Sequence, residues 1–140
     1  MAGDRVVFSV TDTEMLESPD GMMRDSVLIT DTTCGATSMS AGLVWVHPNG
    51  VIHEDTHEFD EVYYVIRGSA EVVMGDRRVP ARAGDVVFIP AGVRHRIDNP
   101  NDETFEIFWL IPANWGVQTG IQEELGKWPR VSPGEGWHLH

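Results

Sequence analysis

The sequence is poor in cysteine and in basic residues. Its one cysteine, Cys34, excludes an intramolecular disulfide, so the fold does not depend on an oxidising compartment. Ten lysines and arginines stand against 22 aspartates and glutamates, and the formal net charge of −12 disfavours binding to nucleic acid and to anionic membranes. A run of about 20 apolar residues, which a membrane span requires, is missing. Residues 1–10 also lack the apolar segment of a signal peptide, so we expect a cytoplasmic protein whose partner is a small molecule.

What the sequence does contain is a series of short β-strand patterns separated by turn residues. Fourteen glycines and eight prolines are scattered along 140 residues, which suits many strands joined by tight turns. The pattern predicts one all-β domain over 1–140, with a barrel core at about 26–112, a short N-terminal extension and a C-terminal extension at 113–140. A short strand at Val6–Val10 and a helical window at Gln118–Leu125 are also predicted. The barrel strands are predicted at residues 26–30, 41–47, 62–66, 69–74, 77–79, 85–89, 94–97 and 105–111.

One of these strands is apolar on both faces. Its Tyr63 and Val65 point one way, and Val62, Tyr64 and Ile66 point the other way. A small barrel needs only one buried face, so a second apolar face indicates a second packed layer or a subunit interface. We therefore expect a homodimer.

His57, Glu61 and His95 are the candidate metal ligands. Imidazole and carboxylate together suit Fe(II), Mn(II), Co(II), Ni(II) and Zn(II). His57 precedes Glu61 by four residues, and the turn Pro90-Ala91-Gly92 precedes the strand that contains His95. A set of two histidines and one carboxylate leaves coordination positions open for a substrate. We therefore predict one divalent transition metal at these three residues.

Two blocks of the sequence resemble the two conserved motifs of the cupin superfamily. The second motif has the order Gly, Pro-x-Gly, His, Asn, and its spacing is matched at every position by Gly84, Pro90, Gly92, His95 and Asn99. The end of the first motif is matched by His57, Glu61 and Gly68. The resemblance implies a single-domain cupin β-barrel, which is the double-stranded β-helix or jelly-roll fold. It also implies a metal ion held by residues of both blocks.

The first motif departs from the family pattern at one position. Cupins usually have a histidine two residues before the first-motif histidine, and this chain has Asp55 there. Three alternatives follow: Asp55 is a further ligand, His53 reaches the ion from farther back in the loop, or three protein ligands hold it. A second carboxylate would make the site harder and favour Fe(II) or Mn(II), with Zn, Ni and Co as the other candidates.

The chain also resembles the small single-domain cupins that include dimethylsulfoniopropionate lyases. The likeness rests on His57, Glu61 and Tyr63, on Gly84–Ile89 and on Glu106–Pro112. It implies that Tyr63 lies close to the metal. That family has a second, catalytic tyrosine near its C-terminal strands, and this chain has no tyrosine after Glu106. The missing tyrosine argues against that particular lyase reaction.

Several residues are candidates for contact with a substrate. The candidate acids and bases are Glu61, Tyr63 and His53. The aromatic side chains predicted to line a substrate pocket are Trp45, Tyr63, Phe88 and Trp109. The terminal His138-Leu139-His140 is a candidate for binding metal, for capping the barrel mouth or for reaching a partner subunit.

The sequence predicts function only at the level of a class. We expect a metal-dependent enzyme that acts on a small organic substrate. Its chemistry is either metal-assisted proton transfer, of the isomerase, cyclase or lyase type, or oxygenation. The alternative is a non-catalytic cupin that binds or senses a small ligand.

Overall fold

Two antiparallel β-sheets face each other in the computed structural model of the chain, which describes residues 6–13, 15–112 and 127–131. The strands are β1 (Met15–Glu17), β2 (Met23–Ile29), β3 (Ser40–Val46), β4 (Val51–Asp55), β5 (Glu61–Arg67), β6 (Ser69–Met74), β7 (Arg77–Arg82), β8 (Val86–Ile89), β9 (His95–Asp98), β10 (Phe105–Ile111) and β11 (Arg130–Val131). The larger sheet has the order β11-β1-β2-β3-β10-β5-β8, and the smaller has the order β4-β9-β6-β7. One short helix, α1 (Asp31–Cys34), lies between β2 and β3. The all-β class expected from the sequence is therefore confirmed.

The predicted strands are formed, with differences at their ends. Two of them, β6 and β10, have the predicted bounds, whereas β2 begins at Met23 rather than at Ser26. Strand β7 runs through Pro80, which is tolerated because β7 is an edge strand. The predicted strand at Val6–Val10 is wrong, because a 3-10 turn forms at Val10–Asp12 and no strand precedes it in the described residues. The helical window Gln118–Leu125 lies outside the described residues.

The larger sheet extends beyond the predicted core at 26–112. Strand β1 and the first residues of β2 precede that range, and β11 follows it. Because β11 pairs with β1, with Met15 opposite Val131, the chain on both sides of the core contributes to the same sheet edge. None of the helices in the described residues is long and apolar enough to cross a membrane.

The core lies between the two sheets and is filled by alternate residues of each strand. Strand β10 is central in the larger sheet, between β3 and β5. Burying a large apolar side chain stabilises a fold by about 1.5–3 kcal/mol, so this strand is a main contributor. The side chains that β10 buries in the core are Phe105, Ile107, Trp109 and Ile111, and the smaller sheet contributes Ala70, Val72, Ala81 and Ile97.

Candidate metal centre

Three side chains from three places in the chain converge at one end of the barrel interior. His57 lies in the loop between β4 and β5, Glu61 is the first residue of β5, and His95 is the first residue of β9. Their ligand atoms all lie within 4.8 Å of one another. Strands β5 and β9 belong to different sheets, so the cluster joins the two layers.

The loop that carries His57 is tied to the turn that precedes β9. The backbone N–H of Gly92 donates to the carbonyl oxygen of His57 at 2.7 Å, and the N–H of Ala91 donates to Asp60 Oδ1 at 2.9 Å. Gly92 has a φ of 80°, a left-handed conformation that favours glycine. The Pro-x-Gly turn therefore does more than reverse the chain, because it also fixes the first histidine beside the second.

The hydrogen bonds of both imidazoles leave the same ring nitrogen available. His57 Nδ1 lies 2.9 Å from the carbonyl oxygen of Phe59, and His95 Nδ1 lies 2.9 Å from that of Val93. A carbonyl oxygen only accepts, so each Nδ1 carries the proton and donates it. In the neutral rings the Nε2 atoms are then lone-pair donors. They lie 3.0 Å and 3.6 Å from Glu61 Oε1.

The facing lone pairs require a cation between them or an added proton. The pKa of His57 is raised. Burial alone would lower it, but the hydrogen bond and the negative charge of Glu61 outweigh that effect. Burial also opposes the shift at Glu61, where hydrogen bonds from His57 and His95 lower the pKa. Both shifts show that positive charge is favoured at this point. Two imidazole nitrogens and a carboxylate oxygen fit a divalent transition metal, and a backbone acceptor behind each ring holds the ligand in place.

Tyr63 supports the cluster from the next inward position of β5. Its hydroxyl donates to Glu61 Oε1 at 3.0 Å. Burial, reinforced by the charge of Glu61, raises the pKa of Tyr63 well above its ordinary value. The side chain is therefore a neutral phenol at physiological pH, and it acts as a hydrogen-bond donor in this arrangement.

Asp55 and His53, the two alternatives for a further ligand, do not join the cluster. Asp55 is exposed although it pairs with His95 across β4 and β9, and its Oδ1 accepts from the N–H of Thr56 at 2.8 Å. His53 is also exposed, and its Nε2 lies 2.7 Å from Asp20 Oδ2. Among the described residues, the ligand atoms that lie together are therefore those of His57, Glu61 and His95, and the choice between the three alternatives stays a prediction. The preference for Fe(II) or Mn(II) depends on Asp55 as a second carboxylate, so it stays a prediction as well.

The four predicted pocket residues divide between the two faces of the larger sheet. Tyr63 and Trp109 pair across β5 and β10 and belong to the core between the sheets. Trp45 is fully buried, but it alternates with the core residues Val44 and Val46 and lies on the opposite face. Phe88 is 55% exposed and also lies on that outer face, between Val87 and Ile89. The expectation that Trp45 and Phe88 line the pocket is therefore wrong. The terminal His138-Leu139-His140 lies outside the described residues.

Sequence reasoning missed one carboxyl group inside the barrel. Asp25 lies on β2 with 7% of its surface exposed, in phase with the core residues Met23 and Val27. The signal was available, because a charged residue occupies a position of the apolar alternation. The predicted strand begins at Ser26 and therefore leaves Asp25 out, whereas the observed strand begins at Met23.

Comparison with known proteins identifies the family of this chain. Residues 42–111, half of the chain, match the family model Cupin_2, described as "Cupin domain". Over 87 residues the chain is 41% identical to Protein SchB of Streptomyces halstedii, a match that covers 61% of this chain and 63% of SchB. Over 87 residues it is 38% identical to polyketide synthase CurC of Streptomyces cyaneus, which covers 61% of this chain and 56% of CurC. The matches thus span less than two thirds of either relative.

A solved structure supports the same assignment. The polyketide cyclase RemF from Streptomyces resistomycificus has a TM-score of 0.68 and 26% identity, covering 79% of this chain and 80% of RemF. Its likeness extends over more of the chain than the family model, and the two motif blocks lie within the matched 42–111. The chain therefore belongs to the cupin family.

Proposed function

We propose that this chain is a metal-dependent cupin enzyme that transfers protons within a small polyketide-type substrate, which is a carbon skeleton carrying several ketone or phenol groups. The observation that carries the proposal is the convergence of His57, Glu61 and His95 inside the barrel. The substrate class is suggested by the similarity to CurC and RemF, whose names refer to polyketide synthesis and cyclisation. Isomerisation, cyclisation and elimination all belong to this proton-transfer chemistry, and oxygenation is the competing reaction.

The residues of the cluster have separate tasks in this proposal. His57, Glu61 and His95 would hold one divalent transition metal, which as a Lewis acid polarises a carbonyl oxygen. The carbonyl oxygens of Phe59 and Val93 fix the two imidazole rings in the orientation that this requires. Tyr63 holds Glu61 and presents a neutral hydroxyl beside it.

The surroundings of the cluster favour an organic substrate. The interior behind the cluster is lined by apolar side chains such as Val65, Ile89 and Ile97, each with no exposed surface. Excluding water there strengthens the electrostatic interactions of the site and protects a carbanion-like intermediate from stray protons. An interior lined in this way suits a ketone-bearing substrate better than a strongly charged one.

The experiment begins with the purified protein, whose metal content is measured before and after loading with Fe(II), Mn(II) or Zn(II). The loaded protein is incubated with poly-β-ketone and anthrone-type substrates, under argon and in air, and products are followed by mass spectrometry. Isomerisation leaves the mass unchanged, and cyclisation with dehydration removes one water. Oxygenation adds oxygen atoms and requires air.

The proposal predicts products under argon without added oxygen atoms, and their absence in His95→Ala. His53→Ala, which removes a histidine outside the cluster, should behave like the parent protein. Products that appear only in air would replace proton transfer by oxygenation. Tight binding of these compounds without turnover, at full metal loading, would instead favour a ligand-binding or sensor protein.

A further inference from the structure

Asp25 is a carboxyl group enclosed by the barrel, away from the three metal-ligand candidates in the sequence. On β2 it lies opposite Val44 of β3, and its neighbours in the same phase are Met23 and Val27. The adjacent Arg24 does not neutralise it, because Arg24 Nε binds Glu17 at 3.1 Å on the other face of the strand. Within the described part of the chain, no basic side chain forms an ion pair with Asp25. A buried carboxyl group without a cation is costly, and this one needs an explanation.

Two other residues of the larger sheet hold the Asp25 side chain in place. Trp109 on β10 donates from its Nε1 to Asp25 Oδ1 at 3.2 Å. Strand β3 lies between β10 and β2, so the indole must reach across it. Gly42 on β3 makes this possible, because a Cβ at that position would lie 2.8 Å from Trp109 Cζ2. The carboxyl group is thus held in a fixed place by a neutral donor.

The ionisation of Asp25 reflects the same surroundings. Burial raises the pKa of Asp25 to about 7; the hydrogen bond from Trp109 acts against this shift, and the negative charge of Glu61 adds to it. The titratable groups that face Asp25 are Glu61 and Tyr63, both on β5. Both forms of the carboxyl group are consequently populated near neutral pH, as the task of proton transfer demands.

Asp25 and the candidate metal centre share one interior. Trp109, which binds Asp25, pairs with Tyr63 across β10 and β5. Tyr63 in turn donates to Glu61, so the paired residues Trp109 and Tyr63 form a row with a hydrogen bond to Asp25 at one end and to the cluster at the other. A substrate with its carbonyl oxygen at the cluster would extend along this row.

We propose that Asp25 is a proton-transfer group of the site, which acts on a substrate bound at the His57–Glu61–His95 cluster. The proposal rests on the function proposed above. The Asp25 carboxylate removes a proton from the carbon next to a substrate carbonyl group, and the C–H electron pair moves into the enolate. The resulting carboxylic acid returns the proton to another atom of the substrate, so that no oxidant or reductant is needed.

The test uses a small ketone with slow uncatalysed exchange, 2′-hydroxyacetophenone, in deuterated water. The zinc-loaded protein is added in catalytic amount, and loss of the methyl proton signal is followed by NMR from pH 5 to pH 9. Asp25→Asn keeps the size of the side chain and an oxygen that can accept from Trp109. Glu17→Gln is the matched control, since Glu17 lies near Asp25 in the sheet but binds Arg24 on the other face.

We expect the parent protein and Glu17→Gln to exchange the methyl protons faster as the pH rises through the titration of Asp25. Asp25→Asn should exchange them at least tenfold more slowly at pH 8, and the rise with pH should disappear. Its zinc content and unfolding temperature should not fall. Independently of turnover, infrared difference spectra should contain a carboxylic acid band that titrates near neutral pH and is absent from Asp25→Asn.

The outcomes separate the two proposals. If Asp25→Asn exchanges the probe like the parent protein, Asp25 only supports Trp109, and the function proposed above stands. An infrared spectrum that shows Asp25 fully ionised from pH 5 upwards would also overturn the inference. If the zinc-loaded parent protein does not exchange the probe at all, the proposal of proton transfer falls, and the role of Asp25 falls with it.

Discussion

The phenol of Tyr63 donates its hydrogen bond to Oε1 of Glu61, at 3.0 Å. The same oxygen lies 3.0 Å from Nε2 of His57. The phenol therefore binds the carboxylate oxygen that would face a metal ion. A donor of this kind orients the carboxylate and draws some charge from it. Such partners of metal ligands typically change affinity by about 10–100-fold when they are removed.

The first prediction concerns this hydrogen bond. Tyr63→Phe should leave the protein folded but lower its affinity for Zn(II) or Co(II) by roughly tenfold, because the Glu61 carboxylate loses the donor that orients it. Titration calorimetry measures the change. Tyr64→Phe is the matched control, since the neighbouring tyrosine is exposed on the outer face of the sheet. Equal affinities for the two variants would mean that the hydroxyl of Tyr63 does not support the metal site.

The second prediction concerns the ligand set. His95→Ala and Glu61→Gln should each lose stoichiometric metal. Each variant lacks one of the three proposed ligands, and the remaining two bind a metal ion weakly. The absorption of added Co(II) reports both occupancy and geometry. Asp55→Asn and His53→Ala should bind Co(II) like the parent protein, because neither side chain is part of the cluster and each binds another partner. Loss of metal from Asp55→Asn would show that Asp55 moves onto the ion when it binds.

The convergence of His57, Glu61 and His95 could be predicted from the sequence because motif spacing fixes which residues meet. His57 and His95 are far apart in the chain, but the Pro-x-Gly turn and the strand that follows it have one arrangement in this fold. The role of Asp55 could not be read in the same way. The pairing of β4 with β9 shifts between Ile52 and Asp55, and an irregularity of one residue decides which side chains face the barrel.

The pocket walls were harder to predict for a related reason. A strand that is apolar on both faces does not reveal which face points inward, so Phe88 and Val87 were equally good candidates from the sequence. Asp25 illustrates the opposite error. Its inward position follows from alternation once the first residue of β2 is known, and strand ends are the least certain part of a sequence-based assignment.

The third prediction concerns Asn99, the last residue of the second motif. Its buried side chain donates from Nδ2 to the carbonyl oxygens of His47 and Glu103, at 3.2 Å and 2.8 Å, and its Oδ1 accepts from the N–H of Asn101. Asn99→Ala should lower the free energy of unfolding by about 2–3 kcal/mol, because the carbonyl groups lose their donor in a buried place. Denaturant unfolding measures this.

The control for Asn99 is a second asparagine in the same loop. Asn101 is exposed, and its side chain binds the backbone and hydroxyl oxygens of Ser69 at the surface. Asn101→Ala should cost less than about 1 kcal/mol, since water replaces the lost partner. If the two variants were equally stable, the motif asparagine would have no special structural role in this chain.

The fourth prediction concerns the pH dependence of stability. The pKa of Asp25 is about 7 in the folded protein against an ordinary value of 3.8. Between these values the folded state binds more protons than the unfolded state, so the contribution of Asp25 to stability falls as the pH rises towards 7 and is constant above it. The total loss amounts to at most roughly 4 kcal/mol.

Asp25→Asn isolates this contribution because it cannot ionise. The variant should match the parent protein near pH 4 and exceed it at pH 8, where the buried carboxylate is charged only in the parent protein. Thermal unfolding at both pH values measures the difference. The titration of other groups over this pH range is common to both proteins and cancels. A constant difference between the two proteins at all pH values would contradict the assignment.

The fifth prediction concerns the outer face of the larger sheet, where two cross-strand rows of uncharged residues lie side by side. We propose that a second copy of this chain covers this face. The rows run Val86-Tyr64-Phe108-Leu43 and Phe88-Val62-Leu110-Ala41 across β8, β5, β10 and β3. Val86 is 65% exposed, Phe88 55% and Tyr64 45%. Together with Ile66 and Phe108 they expose on the order of 450 Å² of apolar surface.

A patch of this size lies within the range of about 300–600 Å² that the largest apolar patch of a monomer covers, and such patches often mark an interaction site. A second copy fits because both rows are free of charge, so two chains of net charge −12 can meet there without opposing carboxylates. Light scattering after size exclusion should give twice the chain mass of 15.6 kDa. Phe88→Glu should yield monomers, because it replaces the most exposed aromatic side chain of the face by a carboxylate in each chain. Met22→Glu, at an exposed bend before β2, should remain dimeric, and a parent protein that is monomeric at every concentration would refute the interface.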